Sequence, residues 1–297
     1  MIDEIKIVSL SGRGTLFMKN NDYSSYWLGE VDWGQASGSH NTNKYHSQVG
    51  ASIISTSVQE RALSITGWVL DAGENTLQER CDFLNAFISP VEDYSLEYNG
   101  KKIGFRPDSS IVYSPEYKKN NEKVRRFLIQ ATCPFPLFSD IEYTEIPFDR
   151  SRKLFHFKTG FGRKKPLVFA VIDKAHSITV MNPGGFSTGF IVRIRFSGEV
   201  HNPKVWNIVT GKFIGVNYAF ARGQQLELCT ISGNKHITLY NEENEEIDLI
   251  KERDFQSSFN TQLQPGKNII SVECENQLEL SNMDLTLYYS PLYLEVR

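Results

Sequence analysis

From Pro166 to the C-terminus the chain is a succession of short runs in which apolar and polar residues alternate, at 167–172, 176–181, 190–196, 204–209, 212–216, 224–230, 236–240, 269–274, 284–289 and 292–296. Period-two alternation turns one side of each run toward a core and the other toward water. Runs of this kind, separated by turn residues every 8–12 residues or so, are the pattern of a β-sandwich. Within it, MNPGGFSTGFIVRIRFSG (181–198) reads as a turn feeding a strand. Gly184 and Gly185 are expected to take positive φ there, and Phe190 to Phe196 to form the strand. The acidic stretch NEENEEID (241–248) is expected to open a long solvated connection to about Gln264.

The front half is organised differently. Ile5, Ile7, Val8 and Leu10 mark an opening strand, and 52–58 and 62–70 are two further alternating runs with Gln59–Glu60–Arg61 as a tight turn between them. Thr76 and Glu79 make a capping-box pattern. Leu77, Cys81, Leu84 and Phe87–Ile88 then share one helical face before Pro90 ends the helix. Asn99–Gly100 sits between 95–98 and 102–105 as a hairpin turn. A last strand runs over 126–132. Residues 150–165 contain seven Lys or Arg and no acid, which marks a junction. The chain is thus mainly β: an α+β domain at 1–149, a basic linker at 150–165 and a β-sandwich at 166–297.

Bulk properties exclude several classes of function. At 297 residues the chain is long enough for two domains with substantial cores. A formal net charge of −3 gives no global basic field for nucleic acid or a membrane surface. The N-terminus lacks the basic region and apolar core of a signal peptide, and the apolar run near 166–172 is too short to span a bilayer. Cys81, Cys133, Cys229 and Cys274 form no Cys-x-x-Cys pair and sit among apolar neighbours, as expected of buried free thiols made in a reducing cytoplasm.

The motifs that could carry chemistry favour turns. Gly160-Phe-Gly162 lacks the third glycine of a dinucleotide loop. Thr210-Gly211-Lys212 and Pro265-Gly266-Lys267 lack the Ser/Thr and the helix that a phosphate loop requires. His40, His46, His156, His176, His201 and His236 show no metal-ligand spacing, and no nucleophile elbow exists. Glu242, Glu243, Glu245 and Glu246 read as a solvated run. No catalytic, cofactor-binding or metal-ligating residue is nominated. Two binding readings stay open. His201, Asn202 and Trp206 could line a sugar groove, against a plainer reading of a turn at Asn202-Pro203 followed by a core Trp206 flanked by Val205 and Ile208. Phe155, Phe157 and Phe161 in the basic linker could stack bases, against a plainer solvated arm.

The order of the motifs is informative. RALSITGWVL, TLQERCDFLNAF, RFLIQATCPFPLF, NPGGFSTGFIVRIRFSG, NIVTGKFIGVNYAFARGQQLEL and LQPGKNIISVE together resemble the distal tail proteins (Dit) of siphophages and prophages of Gram-positive hosts. The resemblance covers nearly the full length, leaving the polar stretch GQASGSHNTNKYHSQVG (34–50) unmatched. It implies an N-terminal belt domain and a C-terminal galectin-like sandwich in a virion structural protein without catalytic residues or cofactors. It further implies a homohexameric ring hub at the tail tip, synthesised in the host cytoplasm. Its partners would be the tail-tube protein, the tail-tip hub protein and receptor-binding or baseplate proteins. The basic linker residues Arg152, Lys153 and Lys164 are expected off the channel. A lectin-like adhesion module is the alternative, and a hydrolase is disfavoured for want of an acid pair or triad.

Overall fold

The computed structural model describes residues 3–20, 25–46, 49–71, 76–114, 123–153, 170–174 and 176–296, with backbone only for Asp149–Lys153 and Ala170–Lys174. The chain divides into two units: Met1–Ile141 with Tyr293–Arg297, and Glu142–Leu292. The division falls upstream of the basic stretch, and the last five residues return to the first unit. Arg150–Lys153 lie on a strand paired with Ala170–Lys174. Residues 154–169, which carry Phe155, His156, Phe157, Gly160, Phe161, Gly162 and Lys164, lie outside the described residues.

The first unit is built on one sheet. Strands Lys101–Pro107, Tyr94–Tyr98, Glu4–Ser9, Thr15–Lys19, Tyr26–Asp32, Arg61–Leu70 and Val124–Cys133 follow one another in it, and Val124–Cys133 pairs back to Lys101–Pro107. That pairing (Ala131 with Pro107, Thr132 with Arg106) closes the strands on themselves as a barrel. Alternation sends Ile5, Ile7, Leu16, Met18, Leu63, Ile65, Phe105 and Phe127 into the core. The helix Leu77–Phe87 adds Leu77, Cys81, Leu84 and Phe87 to that core. Its capping box is present: Glu79 N donates to Thr76 Oγ1 at 3.3 Å, and Thr76 N to Glu79 Oε2 at 2.8 Å. At the hairpin, Asn99 and Gly100 both take positive φ, 47° and 73°, as a type I′ turn requires.

One expected pairing is corrected. Ser52–Val58 does not fold back on 62–70 through Gln59–Arg61; it pairs with Gly38–Asn43, inside the unmatched polar stretch, as a separate two-stranded arm. Arg61–Leu70 pairs instead with Tyr26–Asp32 and Val124–Cys133. The reason lies in the side chains. Leu63, Ile65 and Val69 alternate cleanly and are buried, whereas SIISTSV has two adjacent isoleucines and offers no consistent apolar face. Every residue of both arm strands is exposed.

The second unit is a sandwich. One sheet has six strands in the order Thr144–Pro147, Met283–Tyr289, Phe190–Phe196, Gln225–Cys229, His236–Tyr240, Glu246–Asp248; the other has four, Ser177–Asn182, Gly266–Glu273, Lys204–Asn207, Lys212–Gly215. Inner faces meet through Val192, Ile194, Leu226, Leu228, Leu239 and Leu287 on one side and Val180, Val205, Ile214, Ile270 and Val272 on the other. Burying each such side chain contributes roughly 1.5–3 kcal/mol before entropy.

Two details differ from expectation. Residues 241–245 are a tight turn, with Asn244 at φ 60°, and Glu246–Asp248 pairs back on His236–Tyr240, so the acidic stretch makes a hairpin rather than starting a long connection. Asn241 stabilises this turn by accepting at its Oδ1 from the backbone N–H of Glu243 and Glu245. Gly184 and Gly185 do not take positive φ. Gly184 is required by close approach: a Cβ there would lie 2.6 Å from the carbonyl oxygen of Leu292. Asn182, buried, braces the turn by donating from Nδ2 to Phe186 O and accepting at Oδ1 from Gly184 N.

Candidate functional site

The two outer faces of the sandwich each carry a cleft. On the six-stranded sheet a cleft of about 380 Å³ is lined by Glu145, Arg193, Arg195, Gln225, Asp284 and Tyr288, among others. Adjacent strands place Arg193 opposite Glu227, and Glu227 beside His236 on the next strand. Arg193 Nε donates to Glu227 Oε2 at 2.6 Å, and His236 Nε2 lies 3.0 Å from Glu227 Oε1. Burial pushes the Glu227 carboxyl up, but the bonds from His236 and Arg193 outweigh it and hold the group below the usual carboxylate range. Arg193 also stacks over the Tyr288 ring at 5.1 Å, and Arg195 Nε donates to Gln225 Oε1 at 3.1 Å.

The four-stranded sheet carries the second cleft, about 300 Å³, lined by Asn202, Lys204, Trp206, Asn217, Glu273, Cys274 and Glu275. Its floor is set by strand register. Val205 and Asn207 point inward and are fully buried, which turns Lys204 and Trp206 outward. Trp206 is therefore not a core anchor: it is partly exposed on the outer face, its ring 4.4 Å from that of Phe213. The strand ends at Asn207, whose Nδ2 donates to Gln262 O and whose Oδ1 accepts from Val209 N, so Ile208 and Val209 fall beyond it and are exposed. Asn202 takes φ 52°, a conformation asparagine tolerates, and its Nδ2 donates to Glu275 Oε2 at 2.7 Å. Lys204 Nζ binds Asp254 Oδ2 at 2.7 Å, which lowers the pKa of that carboxyl.

Of the three residues considered for a sugar groove, Asn202 and Trp206 share this cleft and His201 does not. The His201 ring lies between Glu279 and Glu199, at 3.2 and 3.5 Å. Asn217 and Glu273 were not legible as cleft residues: only the pairing of Lys204 with Glu273 across the sheet brings the latter in.

The remaining motifs are structural. Gly211 (φ 64°) turns the chain between Lys204–Asn207 and Lys212–Gly215, and Gly266 (φ 86°) leads into Gly266–Glu273; neither meets a helix N-terminus. His40 bonds Thr56 Oγ1 within the arm, and His236 belongs to the Glu227 cluster. Cys81, Cys133 and Cys229 are buried free thiols, and burial pushes the Cys133 thiol up to about 12. Among the described residues no three His, Cys, Asp or Glu side chains gather where they could hold a metal ion, and no helix is long and apolar enough to cross a membrane.

Comparison with known proteins adds sequence and fold likeness. Residues 183–293 match the model of the siphovirus-type tail component, C-terminal domain. No curated protein matches. The chain is similar in structure to the SPP1 Dit protein, described as a paradigm of the hub adsorption apparatus in phages infecting Gram-positive bacteria. Identity is 15%, with 98% of this chain and 99% of that one covered, at a TM-score of 0.62. It is also similar to a chain of the phage P2 baseplate in its activated conformation with Ca, at 11% identity, full coverage of both chains and a TM-score of 0.56. The strontium form of the p2 baseplate gives 11% identity, 99% coverage of both chains and a TM-score of 0.51. Residues 183–293 thus resemble the C-terminal domain of the siphovirus-type tail component, and both units carry a fold similar to that of the SPP1 Dit protein.

Proposed function

We propose that this chain is the distal tail protein of a siphophage or prophage, a hub that closes into a hexameric ring around an open channel. In this role it joins the tail tube on one side to the tail-tip hub protein on the other. Its sandwich units hold receptor-binding or baseplate proteins, and it is made in the host cytoplasm before entering the virion. The observation that carries the reading is the extent of the likeness: the family model covers 183–293, and the fold likeness to SPP1 Dit runs through both units.

The exposed arm supports it. Among the described residues Gly38–Asn43 and Ser52–Val58 pair only with each other, and Ile53 and Ile54 are 60% and 64% exposed. An isolated two-stranded ribbon is marginally stable in water, and its free edges invite pairing with another chain. A neighbouring copy would supply that cover through a heterologous contact, the kind that closes into rings. Such a role asks for interfaces rather than for a catalytic group.

Negative-stain microscopy of the purified protein, with light scattering for mass, tests the reading. Rings with an open centre are expected, and replacing 38–58 by a short Gly-Ser turn should yield a folded monomer. A wild-type protein that stays monomeric at every concentration, and in the presence of its tail-tube neighbour, would overturn it.

A further inference from the structure

We propose that the cleft on the outer face of the four-stranded sheet is a binding site for a neutral saccharide. The inference goes beyond the hub reading and does not depend on ring formation.

A sugar ring presents an apolar C–H face and a rim of hydroxyls that donate and accept in pairs. A site for it therefore needs a fixed aromatic surface with amide and carboxylate groups beside it. The cleft supplies each part. Trp206 is held against Phe213, with Ser271 opposite it on the neighbouring strand. The Asn217 amide and the Glu273 carboxylate line the same cleft, and neither side chain makes a hydrogen bond or ion pair among the described residues. Trp206 Nε1 is closed off from solvent and has no acceptor among the described residues, so the indole offers the cleft its ring rather than its N–H. The wall is already oriented: Asn202 is locked to Glu275 and Lys204 to Asp254.

The charges narrow the ligand class. Lys204 is compensated by Asp254, while Glu273 and Glu275 leave the cleft acidic, which disfavours phosphorylated or sulfated ligands. A volume of about 300 Å³ lies at the small end of ligand pockets, suited to one or two sugar units.

Ligand-observed saturation-transfer NMR on the full chain, with maltotriose, lactose and triacetylchitotriose titrated to about 10 mM, tests the proposal at the weak affinities expected of a shallow site. At least one saccharide should bind saturably. Trp206→Leu should weaken that binding at least tenfold, and Asn217→Ala with Glu273→Gln by about fivefold or more, as losing one hydrogen bond implies. Circular dichroism checks that each variant folds; should Trp206→Leu fail to fold, the exposed Asn217/Glu273 variant decides. Absence of saturable binding by the wild type, or binding undiminished in a folded variant, would overturn the proposal.

Discussion

On the outer face of the six-stranded sheet, Glu227 takes hydrogen bonds from Arg193 and His236, Arg195 binds Gln225, and Tyr288 packs under Arg193. Across the core, on the outer face of the four-stranded sheet, the Asn217 amide and the Glu273 carboxylate stand beside Trp206 with no side-chain hydrogen bond or ion pair among the described residues. Both faces are partly polar and both hold a cleft. The difference lies in saturation: the first has its donors and acceptors matched within the protein, and the second does not. A matched network rigidifies a sheet, whereas unmatched groups in a preformed cleft are available to a ligand. Cleft size alone would have pointed to the wrong face.

The comparison would break most visibly at Glu227. Glu227→Ala strands Arg193 and His236 and should cost about 2 kcal/mol in urea unfolding, tempered because Arg193 is half exposed. Glu227 also ties the face to pH. Its folded pKa lies below the ordinary value near 4.3, so its contribution is full above that value and is lost as pH falls through the folded pKa. Glu227→Gln should flatten the acid limb of stability against pH; parallel curves for variant and wild type would refute the assignment.

On the facing sheet, Trp206→Leu should cost about 1 kcal/mol, since the ring is only partly buried and leucine retains some of the contact with Phe213. A loss as large as that of a core aromatic would return Trp206 to a structural role. Arg195→Ala removes an exposed contact and should change the midpoint by less than about 0.5 kcal/mol. Smallest of all should be Asn217→Ala with Glu273→Gln, within about 0.5 kcal/mol of wild type in either direction. A clear destabilisation there would mean these groups have protein partners and that the two faces are alike.

How much of this is legible in the sequence depends on which face of a strand is asked about. Clean alternation located most of the sandwich strands, though not Thr144–Pro147 or Glu246–Asp248, and the run at 292–296 joins the first unit's sheet instead; the Thr76–Glu79 pair located the helix start, because its signal is local. The plainer reading of Trp206 as a core residue fails for a definable reason. Val205 and Ile208 are three residues apart, a helical spacing, and cannot share a face of one strand. Of the arm, the strand at 52–58 was legible but its partner Gly38–Asn43 was not, because that strand is polar and faces solvent on both sides. Gly184 was read as a conformational glycine, while its need arises from Leu292, more than a hundred residues away in sequence. The Arg193–Glu227–His236 cluster and the Glu273 side of the cleft are products of cross-strand register, which one-dimensional spacing does not encode.

The return of Tyr293–Arg297 to the first unit makes the sandwich an insertion rather than an appendage. Its first and last strands are hydrogen-bonded neighbours, Thr144 opposite Tyr289, so its two ends lie side by side. The C-terminal segment is anchored locally: Arg61 donates to the Leu294 carbonyl, and Lys101 sits 3.7 Å from the centre of the Tyr293 ring. A module with adjacent ends can be exchanged as a cassette with little strain on its host. Evolution could therefore replace what this protein displays while leaving the barrel that carries it intact.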